Sequence, residues 1–255
     1  MIKKIFPAES DLYNLSLKRV LVPASVSKMD YKGLVVDKPW GYEYLIFEND
    51  KIAIWILFLK HLANTSMHCH PKKKTSLLVL SGRVNTAFLN TSFSLKTMDG
   101  LIIDRGVFHS TKALSEGGAF IMEIETPPEK SDLVRLKDEY GRENQGYEGI
   151  DKTSKDLGKY EYVDFHQDPA KERQMAEKIV KDKKVILHEQ ENWENLKVEI
   201  KQRDFCVISF LDAEVVDLNN RTVLEVGEVC EGKWFLENSH KFLPLENSFN
   251  LLSIH

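Results

Sequence analysis

A pair of histidines near the start of residues 67–82, MHCHPKKKTSLLVLSG, restricts what the chain can fold into more than any other feature. His68 and His70 are separated by one residue, and side chains at positions i and i+2 of a β-strand point to the same face. Two imidazoles on one face can bind a divalent metal ion. The apolar residues 77–80 follow and end at Gly82, which predicts a buried strand and then a turn. The spacing therefore predicts strands that carry a metal site.

A third imidazole is needed to complete such a site, and His109 offers it. It follows the short apolar run of residues 101–103, so it also lies close to a predicted strand. Two clusters carried on strands can meet across a small barrel. We therefore predict that His68, His70 and His109 bind one divalent metal ion, with Zn, Fe, Mn and Ni as the candidates. The alternative is that these histidines are unrelated, one of them being a core residue with an ordinary hydrogen-bond partner.

Short apolar segments separated by turn signals run from residue 35 to residue 126. Regular short strands at this spacing are typical of an antiparallel sandwich or barrel. The mouth of a small closed barrel can hold a ligand. Strands are predicted at residues 42–47, 52–59, 66–70, 76–80, 84–89, 93–96, 101–103, 109–113 and 120–125.

The chain divides into four predicted parts. An irregular arm with a short helix or edge strand covers a sheet edge, and a connector with a helix from Pro169 to about Lys181 separates two β-rich regions. Asp168 is a suitable N-cap for this helix, and Pro169 suits its first turn. Residues 131–139 also have helical composition. The parts are the arm at 1–34, the first β-domain at 35–150, the connector at 151–184 and the second β-domain at 185–255.

Strand patterning returns in residues 185–255, without a second histidine pair of this kind. Apolar runs alternate with turn signals such as Asn219-Asn220 and Gly227. We therefore predict a second, smaller and degenerate β-domain of the same type. Its strands are expected at residues 185–187, 205–211, 214–218, 223–226, 233–236 and 249–254.

Composition argues against several other classes of protein. The 255 residues carry a net charge of −4, which disfavours general nucleic-acid binding. The longest apolar run, residues 52–59, is shorter than the roughly 18 residues of a membrane helix, so no membrane partner is expected. Three cysteines that lie far apart favour a reducing cytoplasm over a disulfide framework. No glycine-rich nucleotide-binding loop occurs. The expected partner is a small molecule, and a homodimer is left open.

The histidine pattern resembles the two motifs of the cupin superfamily. The first motif runs G-x5-H-x-H-x(3,4)-E-x6-G, and the second runs G-x5-P-x-G-x2-H-x3-N. The residues that match are His68, His70, Gly82, Gly106 and His109. The residues that depart from the motifs are Thr75 at the glutamate, Met98 at a glycine, Asp104 at the proline and Ala113 at the asparagine. The resemblance implies a jelly-roll barrel with a metal ion. Because Thr75 brings no charge, two alternatives stay open: three histidines and water hold the ion, or the site no longer binds metal.

A second resemblance lies after the barrel strands. Residues 132–142, DLVRLKDEYGR, resemble the closing D-I-V-R-x-x-D-x-Y-G-R segment of type II phosphomannose isomerases, and residues 38–41, KPWG, resemble the K-P-W-G that opens the same domain. The resemblance covers roughly residues 35–150 and leaves out about the last hundred. In the isomerase pattern an arginine follows the second histidine, whereas Pro71 stands here.

This second resemblance implies that Arg135, Tyr140 and Arg142 lie close to a sugar-phosphate site, where an arginine fork can bind phosphate. The alternative is that the arginines form ion pairs with Asp132 or Asp138, which would pin the segment to the barrel. Either role is compatible with the sequence.

Two carboxylates and a lysine are further candidates. Glu123 and Glu125 alternate with apolar residues on a predicted strand, so they share a face. If that face is inward, one of them can be the catalytic base or a replacement metal ligand; if it is outward, they are a solvated pair. Lys74, in the run of three lysines after the histidine pair, can meet a substrate phosphate or lie in a solvated loop.

The sequence therefore predicts an all-β protein, with a cupin jelly-roll barrel followed by a smaller degenerate cupin-like β-domain. The predicted function is a metal-dependent enzyme that acts on a sugar phosphate or activated sugar. It would be an isomerase or epimerase similar to mannose-6-phosphate isomerases, with bacterial surface-polysaccharide precursor synthesis as its setting. Two alternatives stay open: a non-catalytic cupin that binds a sugar or sugar nucleotide, and a three-histidine Fe(II) dioxygenase.

Overall fold

The structure, a computed structural model, describes residues 1–18, 29–143, 146–148, 150–166, 175–190, 192–202, 206–246 and 248–255. The first part of the chain contains helix α1 (Glu9–Leu17) and strands β1 (Ile2–Ile5), β2 (Val35–Lys38), β3 (Gly41–Glu48), β4 (Ala53–Leu59), β5 (Met67–Cys69), β6 (Lys74–Ser81), β7 (Arg83–Phe88), β8 (Ser92–Lys96), β9 (Gly100–Ile103), β10 (His109–Ala113), β11 (Ala119–Thr126), β12 (Val134–Lys137) and β13 (Thr153–Ser154). The second part contains β14 (Met175–Val180), β15 (Lys183–Gln190), α2 (Trp193–Gln202), β16 (Val207–Phe210), β17 (Val215–Asp217), β18 (Thr222–Leu224), β19 (Val229–Glu231), α3 (Gly232–Asn238), β20 (Phe242–Pro244) and β21 (Phe249–Ile254).

Two sheets face each other in the first part. One has the strand order β1-β9-β6-β11-β4-β3-β2-β13, and the other has the order β12-β5-β10-β7-β8. From β4 to β11 the chain crosses repeatedly between the sheets, so that β9-β6-β11-β4 faces β5-β10-β7-β8. This arrangement is the eight-stranded double-sheet jelly roll, the architecture of cupins. The predicted fold class is confirmed, and each predicted strand of the barrel occurs within about two residues of its expected bounds.

The larger sheet is buried on both faces, which explains why several of its strands are continuous apolar runs rather than alternating ones. Its inner face packs inside the barrel through residues that include Leu57, Val79 and Ile121. Its outer face packs through Ile56 and Met122, among others, against the sheet of the second part. The two β-domains therefore share a hydrophobic core, and the barrel interior keeps a separate one.

The second part repeats the strand order of the barrel with one strand missing. Its sheets have the orders β14-β15-β21-β16-β19 and β18-β17-β20. Strands β15-β21-β16-β19 correspond in order and antiparallel pairing to β4-β11-β6-β9, and β20-β17-β18 correspond to β10-β7-β8. Helix α2 stands between β15 and β16, where β5 with His68 stands between β4 and β6. Among the residues that the structure describes, the degenerate second jelly roll thus has no counterpart of the strand that carries the histidine pair.

Three local predictions were wrong. Residues 131–139 are not helical, because β12 pairs with β5 at the sheet edge and this pairing outweighs their composition. Residues 233–236 lie in helix α3, since a short apolar run fits one helical turn as well as a strand. The connector helix is contradicted at residues 175–180, which form the edge strand β14, and residues 169–174 of that prediction lie outside the described residues. Helix α2 was not anticipated.

The N-terminal arm holds one edge of the barrel. Strand β1 pairs in parallel with β9, so the arm covers that sheet edge. Asp11 of α1 is buried, and its carboxylate accepts hydrogen bonds from the backbone N–H of Ala8 at 2.8 Å and of Phe108 at 2.9 Å. The arm therefore supports the turn that precedes His109. No helix in the part of the chain that the structure describes has the length and apolar character to cross a membrane.

Candidate metal centre and cavity

Three histidines converge where β5 and β10 pair. His68 lies on β5, His70 follows directly after it, and His109 begins β10 opposite His68. The ring centres of His68 and His109 are 4.5 Å apart, those of His68 and His70 are 5.0 Å apart, and those of His70 and His109 are 5.6 Å apart. One nitrogen atom from each ring lies within 4.8 Å of the other two. The structure therefore brings together the three residues that the sequence predicts to share a metal ion.

Hydrogen bonds set the tautomer of each ring. The Nδ1 atoms of His68, His70 and His109 lie 2.8, 2.5 and 3.0 Å from the backbone carbonyl oxygens of Ser66, Asp132 and Val107. Because a carbonyl oxygen only accepts, each Nδ1 carries the proton and each Nε2 keeps a free lone pair. The Nε2 of His70 is buried and has no hydrogen-bond partner within the described ranges of the chain. An orphaned buried nitrogen beside two similar donors fits a divalent metal ion.

The three imidazoles are neutral at neutral pH. Burial lowers the pKa of His68 and His70 well below the ordinary value, and the neighbouring rings and cations lower it further. Burial lowers the pKa of His109 to about 4. A metal ion needs the unprotonated ring, so protons compete with metal at this site only in acid.

The two glutamates of β11 face the barrel interior. Glu123 and Glu125 are both buried and line the same cavity as the three histidines. Among the described residues, the group of possible metal ligands contains the three histidines and no carboxylate. The glutamates therefore share the cavity with the histidine cluster without belonging to it.

The two carboxyl groups have opposite pKa shifts. Burial raises the pKa of Glu123 to about 7, and the charge of Glu125 adds to this, against the opposing effect of Lys130 and Lys73. Burial also raises the pKa of Glu125, but Lys130 and Lys73 outweigh it and hold the pKa below the ordinary value. A pair of carboxyl groups with separated pKa values is typical of acid–base catalysis.

Thr75, at the position of the motif glutamate, is buried on β6 and pairs across the sheet with Glu125. Its hydroxyl oxygen has no hydrogen-bond partner among the described residues. The cluster is thus a set of three neutral donors with no negative charge from β6.

A carboxylate at position 75 should strengthen metal binding, because it adds a charged oxygen ligand where the chain has a neutral one. We expect Thr75→Glu to lower the metal dissociation constant by about tenfold, which is about 1.4 kcal/mol. Zinc titration of the two proteins with a competing chelator measures this. Thr75→Gln is the control of matched size without charge, and an equal gain in both variants would show that charge is not the cause.

Lys73, rather than Lys74, is the lysine that reaches the cavity. The Nζ of Lys73 bonds Glu125 at 2.7 Å, and the side chain is buried. The Nζ of Lys74 pairs instead with Glu225 and Glu228 of the second domain, each at 2.8 Å. Adjacent residues of a strand face opposite sides. The structure therefore places the predicted substrate-binding residue Lys74 outside the histidine cavity, at the contact between the two domains.

The isomerase-like segment brings two arginines to the cavity. Arg135 and Arg142 both line it. The Arg142 guanidinium also donates two hydrogen bonds to the Asp138 carboxylate, at 2.7 and 3.0 Å, so the predicted ion pair with that residue exists together with the cavity contact. Tyr140 lies outside, in a neighbouring groove, with its ring centre 5.4 Å from the Arg142 guanidinium carbon. Two of the three predicted residues thus face the histidines.

Asp132 has a role at the site that the sequence did not predict, since it was expected only as an ion-pair partner of the arginines. Its carboxylate accepts hydrogen bonds from the backbone N–H of Lys72 at 2.7 Å and of Lys73 at 2.9 Å, while its carbonyl oxygen accepts from His70. It is the first aspartate of the isomerase-like segment, and that was the signal available. It orients both a histidine of the cluster and the cavity lysine.

Asp132→Ala should therefore weaken metal binding as well as the fold. The buried N–H of Lys73 and the partly buried N–H of Lys72 lose their acceptor, and an unsatisfied buried donor costs about 1–3 kcal/mol of unfolding free energy. The variant keeps the backbone carbonyl that bonds His70, so metal affinity should fall only because the segment loses its carboxylate anchor, by about 10-fold, the lower end of the usual effect of an outer partner. Urea unfolding and zinc titration measure the two effects. A variant that loses stability but binds zinc as the wild type does would contradict the orienting role.

A half-buried lysine lies at the mouth of the barrel. Lys130 pairs with Glu125 and with Glu43, both at 3.1 Å, and its Nζ lies 3.7 Å from the centre of the Trp55 ring. Burial lowers its pKa, but Glu125, Glu43 and Glu123 outweigh this and raise it overall. The hydroxyl of Tyr147 donates a hydrogen bond to Glu43. Lys130, Glu43 and Tyr147 were not predicted, since no periodicity marks residues that long-range folding brings together.

The cavity is small, at about 70 Å³. Pockets for drug-sized ligands usually measure about 300–1,000 Å³. A sugar-sized molecule therefore enters only if side chains at the mouth move.

No protein-family model matches the sequence, and no curated protein matches it. Among solved structures, KdgF from Halomonas sp. is 14% identical with a TM-score of 0.36, over 37% of this chain and 88% of that chain. An RmlC-like cupin from Shewanella frigidimarina NCIMB 400 is 14% identical with a TM-score of 0.35, over 38% of this chain and 85% of that one. The capsular polysaccharide assembling protein CapF from Staphylococcus aureus is 15% identical with a TM-score of 0.37, over 41% of this chain and 34% of that one. Scores this low carry no argument about function, and the jelly-roll assignment rests on the strand order of this chain.

Proposed function

We propose that the protein is a metal-dependent enzyme that moves a proton between neighbouring carbons of an anionic, sugar-type substrate, as an isomerase or epimerase does. One observation carries this proposal: the neutral histidine cluster and the carboxyl group of Glu123 face the same buried cavity. The resemblance of residues 132–142 to type II phosphomannose isomerases supports a sugar phosphate or activated sugar as the substrate class. The same resemblance suggests surface-polysaccharide precursor synthesis as the setting.

The histidines and the two glutamates have separate roles. His68, His70 and His109 hold the metal, which when bound supplies Lewis-acid polarisation of a substrate oxygen. Glu123, with a pKa of about 7, exists in both protonation states at neutral pH and can take a proton from carbon and return it. Glu125 stays ionised between Lys73 and Lys130 and fixes the charge pattern around Glu123.

Proton exchange in heavy water tests the proposal. The zinc, manganese, nickel and iron(II) forms are incubated in D2O with aldose and ketose phosphates. Deuterium should appear by NMR at the carbon next to the carbonyl, together with the isomeric product. Glu123→Gln should slow exchange by about 10²–10⁴-fold while it leaves metal content unchanged. If sugar phosphates raise the melting temperature but none exchanges, the protein is instead a sugar-binding cupin without catalysis.

One specific observation favours a second candidate. No carboxylate joins the three histidines within the described residues. A three-nitrogen donor set with open positions also suits Fe(II) and O2 chemistry. Oxygen uptake by the iron(II) form with a candidate substrate, absent from the zinc form, would favour the dioxygenase over the isomerase.

A further inference from the structure

We propose that Glu148 occupies the place where the anionic group of the substrate binds, and that an incoming oxyanion displaces it. The proposal rests on the proposed function only for the existence of a substrate. To the two arginines of the isomerase-like segment it adds Lys38 as a further binding residue. It also adds the Glu148 carboxylate as a group that competes with the substrate for these cations.

Three cations meet the Glu148 carboxylate. Lys38 bonds one of its oxygens, while Arg142 lies 2.5 Å and Arg135 lies 3.5 Å from the other. The exposed fractions of these four side chains range only from 3% to 11%, so the charges are shielded from water. Such a ring of cations around two oxygens resembles the way proteins bind phosphate and carboxylate ligands.

The charge balance depends on Glu148. Asp138 pairs with Arg142, and Glu43 is shared between Lys38 and Lys130. These partners leave positive charge that Glu148 completes. Burial raises the pKa of Glu148, but Lys38 and Arg135 hold it below the ordinary value, so the group stays ionised. Without an anion at this position, Lys38 and Arg142 would each lose a carboxylate partner in a buried setting, which is costly.

The position of Glu148 also suits a displaceable group. Lys38, Arg142 and Tyr147 line both the histidine cavity and an outer groove of about 630 Å³ to which Glu148 contributes. Glu148 therefore lies at the partition between a cavity too small for a sugar and a groove large enough for one. An oxyanion that enters by the groove reaches the three cations first and then places the rest of the molecule towards the histidines.

The chemical class that fits is a terminal phosphate or carboxylate. A phosphate monoester carries about −1.5 to −2 charges at pH 7 and three acceptor oxygens, so it competes well against a single carboxylate. Inorganic phosphate and acetate are therefore the probes. Phosphate binding without acetate binding assigns the site to phosphate esters, and binding of both assigns it to oxyanions in general.

Calorimetric titration of inorganic phosphate into the full-length wild type and Glu148→Gln tests the displacement. Removal of the competing charge should tighten phosphate binding by roughly tenfold to a hundredfold, the usual effect of a charge-assisted contact. The control is Glu194→Gln, which removes an equal charge from an exposed residue of α2 that forms an ion pair with Lys197. Equal phosphate affinity in the wild type and Glu148→Gln would overturn the proposal.

A second variant tests the site in case Glu148→Gln does not fold. Glu148→Gln combined with Lys38→Met removes one cation together with the carboxylate and should fold, but it should lose most of the gain in phosphate affinity. If the double variant keeps the whole gain, Lys38 is not part of the site and the proposal fails. If Glu148→Gln alone is unstable, phosphate should raise its melting temperature far more than that of the wild type. These titrations need neither metal nor turnover, so their outcome is independent of whether the isomerase assay succeeds.

Discussion

His109→Ala is expected to lower metal affinity by more than about 100-fold, because it removes one of three converging nitrogen donors, whereas loss of an outer partner alone costs about 10–100-fold. Metal that binds the folded protein stabilises it, by about 2.7 kcal/mol at a free concentration 100 times the dissociation constant. Zinc should therefore raise the melting temperature of the wild type and leave that of His109→Ala nearly unchanged. Elemental analysis and thermal melts with and without zinc measure both effects.

His61→Ala is the matched control. His61 is exposed, and its ring hydrogen-bonds the backbone of Ser115 away from the histidine cluster. It should bind zinc as the wild type does. His109 is buried, so its variant is also melted without metal to separate loss of the ligand from loss of the fold. Full zinc affinity in a folded His109→Ala protein would rule out the shared metal site.

The strands of the barrel were predictable because their signals are local. Apolar runs bounded by Asn, Asp and Gly turns mark them, and the spacing of His68 and His70 places two donors on one face. Strand β5 then pairs with β10, which puts His109 opposite His68. The convergence of the cluster thus follows from one local spacing and one strand pairing that the barrel architecture requires.

The choice between Lys73 and Lys74 shows where local signals end. The predicted strand began at residue 76, whereas β6 begins at Lys74, so the lysines appeared to lie in a loop with no fixed direction. Extension of the strand pairing, with Lys74 opposite Thr126, fixes which lysine faces inward. Alternation alone could not decide this, because it gives the two faces without saying which is inside.

The mouth of the cavity was not predictable at all. Glu43 lies on β3, and Lys130 follows the last strand of the barrel. Glu148 lies well beyond β12. Only long-range folding brings these residues together, and none has a periodic neighbour that marks it. The same holds for α2, whose position in place of a strand becomes clear only from the strand order of the second domain.

Glu123→Gln is expected to lower the proton-exchange rate by about 10²–10⁴-fold, the usual contribution of a general acid–base group. The amide keeps the size of the side chain but cannot take a proton from carbon. In the wild type the ionised carboxylate is the base, so the rate should rise with pH and level off above about 7, the pKa of Glu123. Lys130→Met removes a charge that lowers this pKa, so the rise should move to higher pH.

Glu123→Gln should also stabilise the folded protein above neutral pH. The direction of this effect follows from the raised pKa of Glu123. An unfolded glutamate has a pKa of about 4.3, whereas Glu123 has a pKa of about 7 in the fold. Between these values the folded state holds more protons than the unfolded one, so its stability falls as pH rises. Glutamine has no proton to lose, and Glu123→Gln should melt higher than the wild type at pH 8 but not at pH 4. Thermal melts across this range, with zinc bound, measure the difference. A catalytic carboxylate held at a cost to stability gives this combination of lost exchange and gained stability. A buried structural glutamate would instead lose stability without its hydrogen bonds and leave the pH dependence of exchange unchanged.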